Sequence, residues 1–170
     1  MYQKRQLGTP VKVVLILILI LLLTVLQTTV LRGIEIFHVI PNLLMVTVVC
    51  YSLLKGDYSA LAVGVACGFI LDITGGRMVG MNALLCALVA YFCICISGSL
   101  FNHNIPVAML FVLMLSIPYE LIMYIFYFAI WGEGEFWFAF FCKILPASIY
   151  NALATVLLCP LIRAIVGTEQ

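Results

Sequence analysis

From Val13 to Val30 the chain carries no charged residue, and this run limits the possible folds more than any other feature. A helix rises about 1.5 Å per residue, so about 20 apolar residues cross a hydrocarbon core of about 30 Å. Val13 to Val30 comes close to that length, and similar runs recur along the chain. Charges and turn residues separate them: Arg32-Gly33 with Glu35, Lys55-Gly56-Asp57, Gly75-Gly76-Arg77, Asn102-His103-Asn104 and Gly132-Glu133-Gly134-Glu135. The spacing predicts spans near 12–31, 38–55, 58–74, 80–99, 106–130 and 141–164. Membrane strands take about 9–11 residues with alternating polarity. These runs are longer and do not alternate. The expected fold is an all-α integral membrane protein of about six transmembrane helices, in a single domain over residues 1–170.

Composition agrees. Hydrophobic residues make up 66% of the chain and charged residues 9%, against about 25% charged in a soluble domain. One water-soluble core cannot hide that much apolar surface, so membrane lipids must be the solvent. A net charge of +1 points to no nucleic-acid partner. Lys4, Arg5 and Lys12 ahead of the first run resemble a signal peptide. The run is too long for one, and no small-residue cleavage site follows, so an uncleaved first span is expected.

Orientation follows from basic residues, which favour the cytoplasmic side. With both termini inside, the inner face receives Lys4, Arg5, Lys12, Lys55 and Arg163, and the outer face Arg32, Arg77 and Lys143. Trp131 and Trp137 then sit at the outer interface, together with the Gly75 to Gly80 loop.

Polar residues inside such runs are the candidates for function. Ala60, Gly64, Gly68 and Asp72 are each four apart, which places them on one helical face. Gly75, Gly80 and Asn82 follow, and Asn82, Cys86 and Ala90 repeat the same interval on the next span. The two small-residue faces can pack together. Asp72 would then accept a hydrogen bond from the Asn82 amide, from loop N–H groups near Gly75, or from Arg77. Three readings stay open at this point: a hairpin lock, an ion or ligand site, or a partner-docking face.

Glu120 and Asn151 are the second candidates. Each lies about ten residues from the outer end of its span, about 15 Å deep, on antiparallel neighbours. They are expected to be buried and within reach of each other or of a shared polar cavity. Pro118 and Pro146 leave free carbonyls nearby.

The other chemistry-bearing residues form no set. Cys50, Cys67, Cys86, Cys93, Cys95, Cys142 and Cys159 lie in or beside apolar runs without a Cys-x-x-Cys, and read as packing residues. His38 and His103 fall on opposite sides of the membrane. No nucleophile–base set, phosphate loop or metal spacing occurs. No enzyme activity, cofactor or metal is expected.

The order of these features resembles the MreD family of bacterial rod shape-determining membrane proteins. The resemblance covers most of the chain. It rests on Pro41-Asn42-Leu43-Leu44, on Gly64-x-x-x-Gly68-Phe69-Ile70-Leu71-Asp72 with Gly75-Gly76, and on Gly80-Met81-Asn82-Ala83-Leu84 with Ala90-Tyr91. Leu145-Pro146, Tyr150-Asn151-Ala152-Leu153 and Pro160-Leu161-Ile162-Arg163 complete it. The family's basic residues after the fourth span are replaced by Ser97, Gly98 and Ser99, which removes a basic cytoplasmic contact there.

The resemblance implies a non-enzymatic scaffold in the cytoplasmic membrane, part of the complex that elongates the cell and positions peptidoglycan synthesis. It implies MreC as a partner, with MreB, RodA and a class B penicillin-binding protein. The family also resembles the six-helix S-component fold of energy-coupling-factor transporters, which supplies a rival: a carrier of small, vitamin-type ligands. A carrier needs a pocket open to the outside with convergent polar groups. The sequence offers few of these: Asp72, Asn82, Glu120 and Asn151.

Overall fold

The computed structural model describes residues 9–30, 39–75, 79–100, 104–131 and 136–167, with backbone only at 9, 30, 98–100 and 129–131. Helix α1 spans Thr9–Val25 and widens into a π-helical turn at Leu26–Val30. Hydroxyls cause the local change. Thr24 donates to the Ile20 carbonyl at 2.7 Å, Thr28 to that of Thr24 at 2.9 Å, and Thr29 to that of Val25. Hydroxyls that back-bond to the preceding turn compete with its N–H donors and loosen it.

Helix α2, Leu43–Lys55, is the centre of the bundle: every residue from Leu43 to Leu54 is buried. It starts where it does because Pro41 cannot continue a helix and Asn42 caps one. The Asn42 Oδ1 accepts the Met45 N–H at 3.1 Å. It stops at Gly56, whose φ of 64° is left-handed and suits a residue without Cβ. The next helix begins at once. Asp57 accepts the Ser59 N–H and pairs with Lys55 at 3.4 Å. Bonds from Ser59 hold the Asp57 carboxyl below the usual carboxylate range.

Helices α3, Ser59–Gly75, and α4, Met81–Leu100, form a hairpin and pack most closely of any pair. Helix α5 covers Ile105–Trp131 and α6 covers Leu145–Val166. A short helix, Phe136–Ala139, and a π-helical turn, Phe140–Ile144, lead into α6. Pro146 explains the π turn: it has no N–H, and its ring crowds the carbonyl of Cys142 four residues back. Helix α2 packs on α3, α4 and α6, α6 packs also on α5, and α1 closes the bundle against α2 and α6.

The chain is all-helical across the described residues, and three stretches are long and apolar enough to cross a membrane: Pro10–Thr29, Ile105–Phe128 and Phe136–Val166. The others, Leu43–Lys55, Ser59–Gly75 and Met81–Ser97, are apolar but shorter. The largest departure is at the span expected near 38–55. Its helix has only 13 residues, about 20 Å, because it starts after the Pro41-Asn42 break. Its neighbours enclose it, so it need not match the thickness of the lipid. Outside, α1 shows Leu17, Leu21 and Leu22, α4 shows Phe92, and α6 shows Leu157, as a lipid-facing surface requires.

Candidate functional site

One end of the bundle holds the polar groups. It is the end where α1, α3 and α5 finish and α2, α4 and α6 begin. Each starting helix exposes N–H donors with no partner in its own first turn. In a low-dielectric setting those donors must be satisfied by other parts of the protein.

Helix α4 is satisfied by Asp72. Its carboxylate accepts the Gly80 N–H at 3.0 Å, the Asn82 N–H at 3.1 Å, the Asn82 Nδ2 at 3.0 Å and the Ala83 N–H at 3.2 Å. Asp72 is 4% exposed. Asn82 in turn accepts the Tyr119 hydroxyl at 2.6 Å, which ties the hairpin to α5. The Asn82 amide is thus one of the donors the sequence offered, while the loop N–H comes from Gly80 rather than from the neighbourhood of Gly75. Arg77, with Gly76, lies outside the described residues. Gly80 has φ of 91°, a conformation that L side chains rarely adopt.

The small-residue stripe sits beneath this lock, turned toward α4. Ala60, Gly64 and Gly68 are buried. A Cβ on Gly68 would stand 2.4 Å from both Ala83 Cα and the Asn82 carbonyl oxygen. One on Gly64 would stand 2.9 Å from the Cys86 carbonyl and 3.0 Å from Ala90 Cβ. The faces that meet are the two read from the four-residue spacing. A Cβ on Gly75 would meet nothing within 4 Å.

Helix α2 is satisfied from both sides. Gln27 in the π turn after α1 accepts the Leu43 N–H at 3.1 Å, and Asn151 on α6 accepts the Asn42 N–H at 2.7 Å. Asn151 also donates to Ser116 on α5 at 3.2 Å. Asn151 is therefore buried, as expected, but it makes no bond to Glu120. Its partner is Ser116, one turn earlier on the same face. Asn151→Ala leaves the part-buried Asn42 N–H without its side-chain acceptor and is expected to cost about 1 kcal/mol. A thermal melt in detergent would check this, and an unchanged midpoint would refute the shared cap.

Glu120 departs from expectation in a second way. It is half-buried, because it lines a cavity of about 490 Å³ that is partly open to the outside of the bundle. Gln27, Asn42, Asn82, Tyr119, Tyr124, Tyr127 and Lys143 also line it, with apolar residues such as Leu71 and Met123 between them. The pocket has more convergent polar groups than the sequence suggested, while Asp72 and Asn151 stand behind its walls as supports. Gln27, Ser116, Tyr119 and Tyr124 were not singled out from sequence, and Asn42 entered only through the family resemblance. A signal for the α5 members existed: Ser116, Tyr119, Glu120, Met123, Tyr124 and Tyr127 fall three or four apart and so share one face.

The two histidines, His38 and His103, lie outside the described residues. Among the described residues no group of three or more His, Cys, Asp or Glu could hold a metal ion, and the seven cysteines are free.

A family model described as MreD, rod shape-determining protein MreD, matches residues 9–167, nearly the whole chain. Comparison with curated proteins and with solved structures gives no match.

Proposed function

We propose a function from one premise: the chain belongs to the MreD family of rod shape-determining proteins. On that premise it is a multi-pass protein of the bacterial cytoplasmic membrane, its six helices within the bilayer and both termini inside the cell. It acts without chemistry, as a scaffold. It binds MreC and, with MreB, RodA and a class B penicillin-binding protein, helps position peptidoglycan synthesis as the cell elongates.

The observation that supports a scaffold most is where the polar groups go. Asp72, Asn82 and Asn151 spend their hydrogen bonds on holding helix ends and helix pairs together. With the glycine stripe consumed between α3 and α4, partner helices are left the outer apolar faces. Packing of that kind is what joins helices in a bilayer.

Affinity capture of the tagged protein from rod-shaped cells tests the reading. MreC should co-purify, and depletion should turn rods into spheres. Recovery of folded protein without MreC, in cells that keep their shape, would overturn it. The carrier reading draws on one observation, the cavity, and would require uptake of a labelled small ligand that depends on this protein.

A further inference from the structure

We propose that the cavity at the polar end of the bundle binds a zwitterionic group: an ammonium together with a phosphate or carboxylate on the same molecule. Its volume of about 490 Å³ lies in the range of small-molecule sites. A carboxyl group and an ammonium line it, Glu120 from α5 and Lys143 from the π turn before α6. They do not pair with each other; the ion pair seen among the described residues is Lys55 with Asp57, in the α2–α3 turn. The two groups face one cavity without pairing, so a ligand between them can bond to each.

A zwitterion meets both at once. Lys143 is exposed and Glu120 half-buried, which sets the direction: the anionic group at the mouth and the ammonium inward. Tyr119 and Tyr124 share the lining and place aromatic side chains beside the two groups. The Tyr124 hydroxyl, on a residue that lines the cavity, is shielded from water and has no hydrogen-bond partner among the described residues. A single ion meets only one of the two groups. The chemistry fits a free amino-acid-type or phosphoethanolamine-type solute, and equally an ethanolamine phospholipid headgroup.

Thermal unfolding of the full-length protein separates these. Phosphoethanolamine and alanine are added in detergent, and nanodiscs of phosphatidylethanolamine are compared with nanodiscs of phosphatidylglycerol. Protection by a soluble probe assigns a solute; protection by phosphatidylethanolamine alone assigns the headgroup. In either arm Glu120→Gln and Lys143→Gln should each weaken the effect about tenfold, the weight of one charge-assisted hydrogen bond. Lys55→Gln, remote from the cavity, should leave it unchanged. The proposal falls if neither arm protects, or if both cavity variants keep full protection. It also falls if, on the wild-type protein, ethylamine or phosphate alone protects as well as phosphoethanolamine, a comparison that needs no variant to fold. MreC capture is a separate readout, so failure here leaves the scaffold reading standing.

Discussion

Gly68→Leu is expected to prevent recovery of folded protein, with a loss of at least about 4 kcal/mol. The reason is which atoms stand in the way. Ala83 Cα, Ala83 N and the Asn82 carbonyl oxygen lie 2.4 to 2.7 Å from where the new Cβ must go. All three are backbone of the first turn of α4, and Asp72 pins that same turn. No side-chain rotation relieves the clash, so the helices must separate, and separation removes the contacts at Gly64 as well. Gly68→Ala carries the same Cβ and should cost about 2–3 kcal/mol. Gly64→Ala should cost less, because its closest clashes are 2.9 and 3.0 Å. Gly75→Ala should change stability by less than about 0.5 kcal/mol, since it points into open space. Melts followed by fluorescence size exclusion would rank the three alanine variants. A Gly68→Ala midpoint equal to that of Gly75→Ala would refute the close approach. A Gly68→Leu protein that folds normally but loses MreC would make the stripe an interface instead.

That ordering shows what spacing alone reveals. The stripe Ala60, Gly64, Gly68 and its counterpart Asn82, Cys86, Ala90 are regular at four residues, and two regular faces on adjacent spans have one obvious way to meet. Asp72 was legible for the same reason: a carboxylate at the end of a small-residue face, a short turn from the next helix start, is placed to cap it. Helix α2 was harder. Its run looks long enough to span, and only the Pro41-Asn42 pair marks its late start, which matters because a short helix must be enclosed by its neighbours. Glu120 and Asn151, expected within reach of each other or of one polar cavity, take different partners because depth fixes height along two helices but not rotation about them. Ser116 and Glu120 share one face a turn apart, and Asn151 meets Ser116. The cavity was the least legible feature. It is assembled from six separate stretches, Gln27 to Thr28, Val39 to Asn42, Leu71 to Gly75, Asn82, Tyr119 to Tyr127 and Lys143 to Ala147, whose convergence no local pattern records.

Asp72→Ala is the second large effect, expected at about 3–5 kcal/mol. The carboxylate is 4% exposed, so water cannot replace it without opening the hairpin. Its removal strands three backbone donors and the Asn82 amide in one place. Backbone donors at a helix start have no alternative within the helix, and a negative charge there is also favoured by the helix dipole. Asp72→Asn keeps one acceptor oxygen but turns an NH₂ toward N–H donors, and should retain about half of the stabilisation. Tyr119→Phe removes only the donor to Asn82 and should cost about 1 kcal/mol. Asp72 and Tyr119 act on the same amide from opposite sides. Combining Asp72→Ala with Tyr119→Phe should therefore cost less than the sum, by at least about 0.5 kcal/mol. Strict additivity in that cycle would mean the lock and α5 are independent. A near-native melting midpoint for Asp72→Ala would mean that the first turn of α4 finds its acceptors elsewhere. The expected result instead makes Asp72 the residue that fixes Asn82, and through Asn82 and Tyr119 the wall of the cavity.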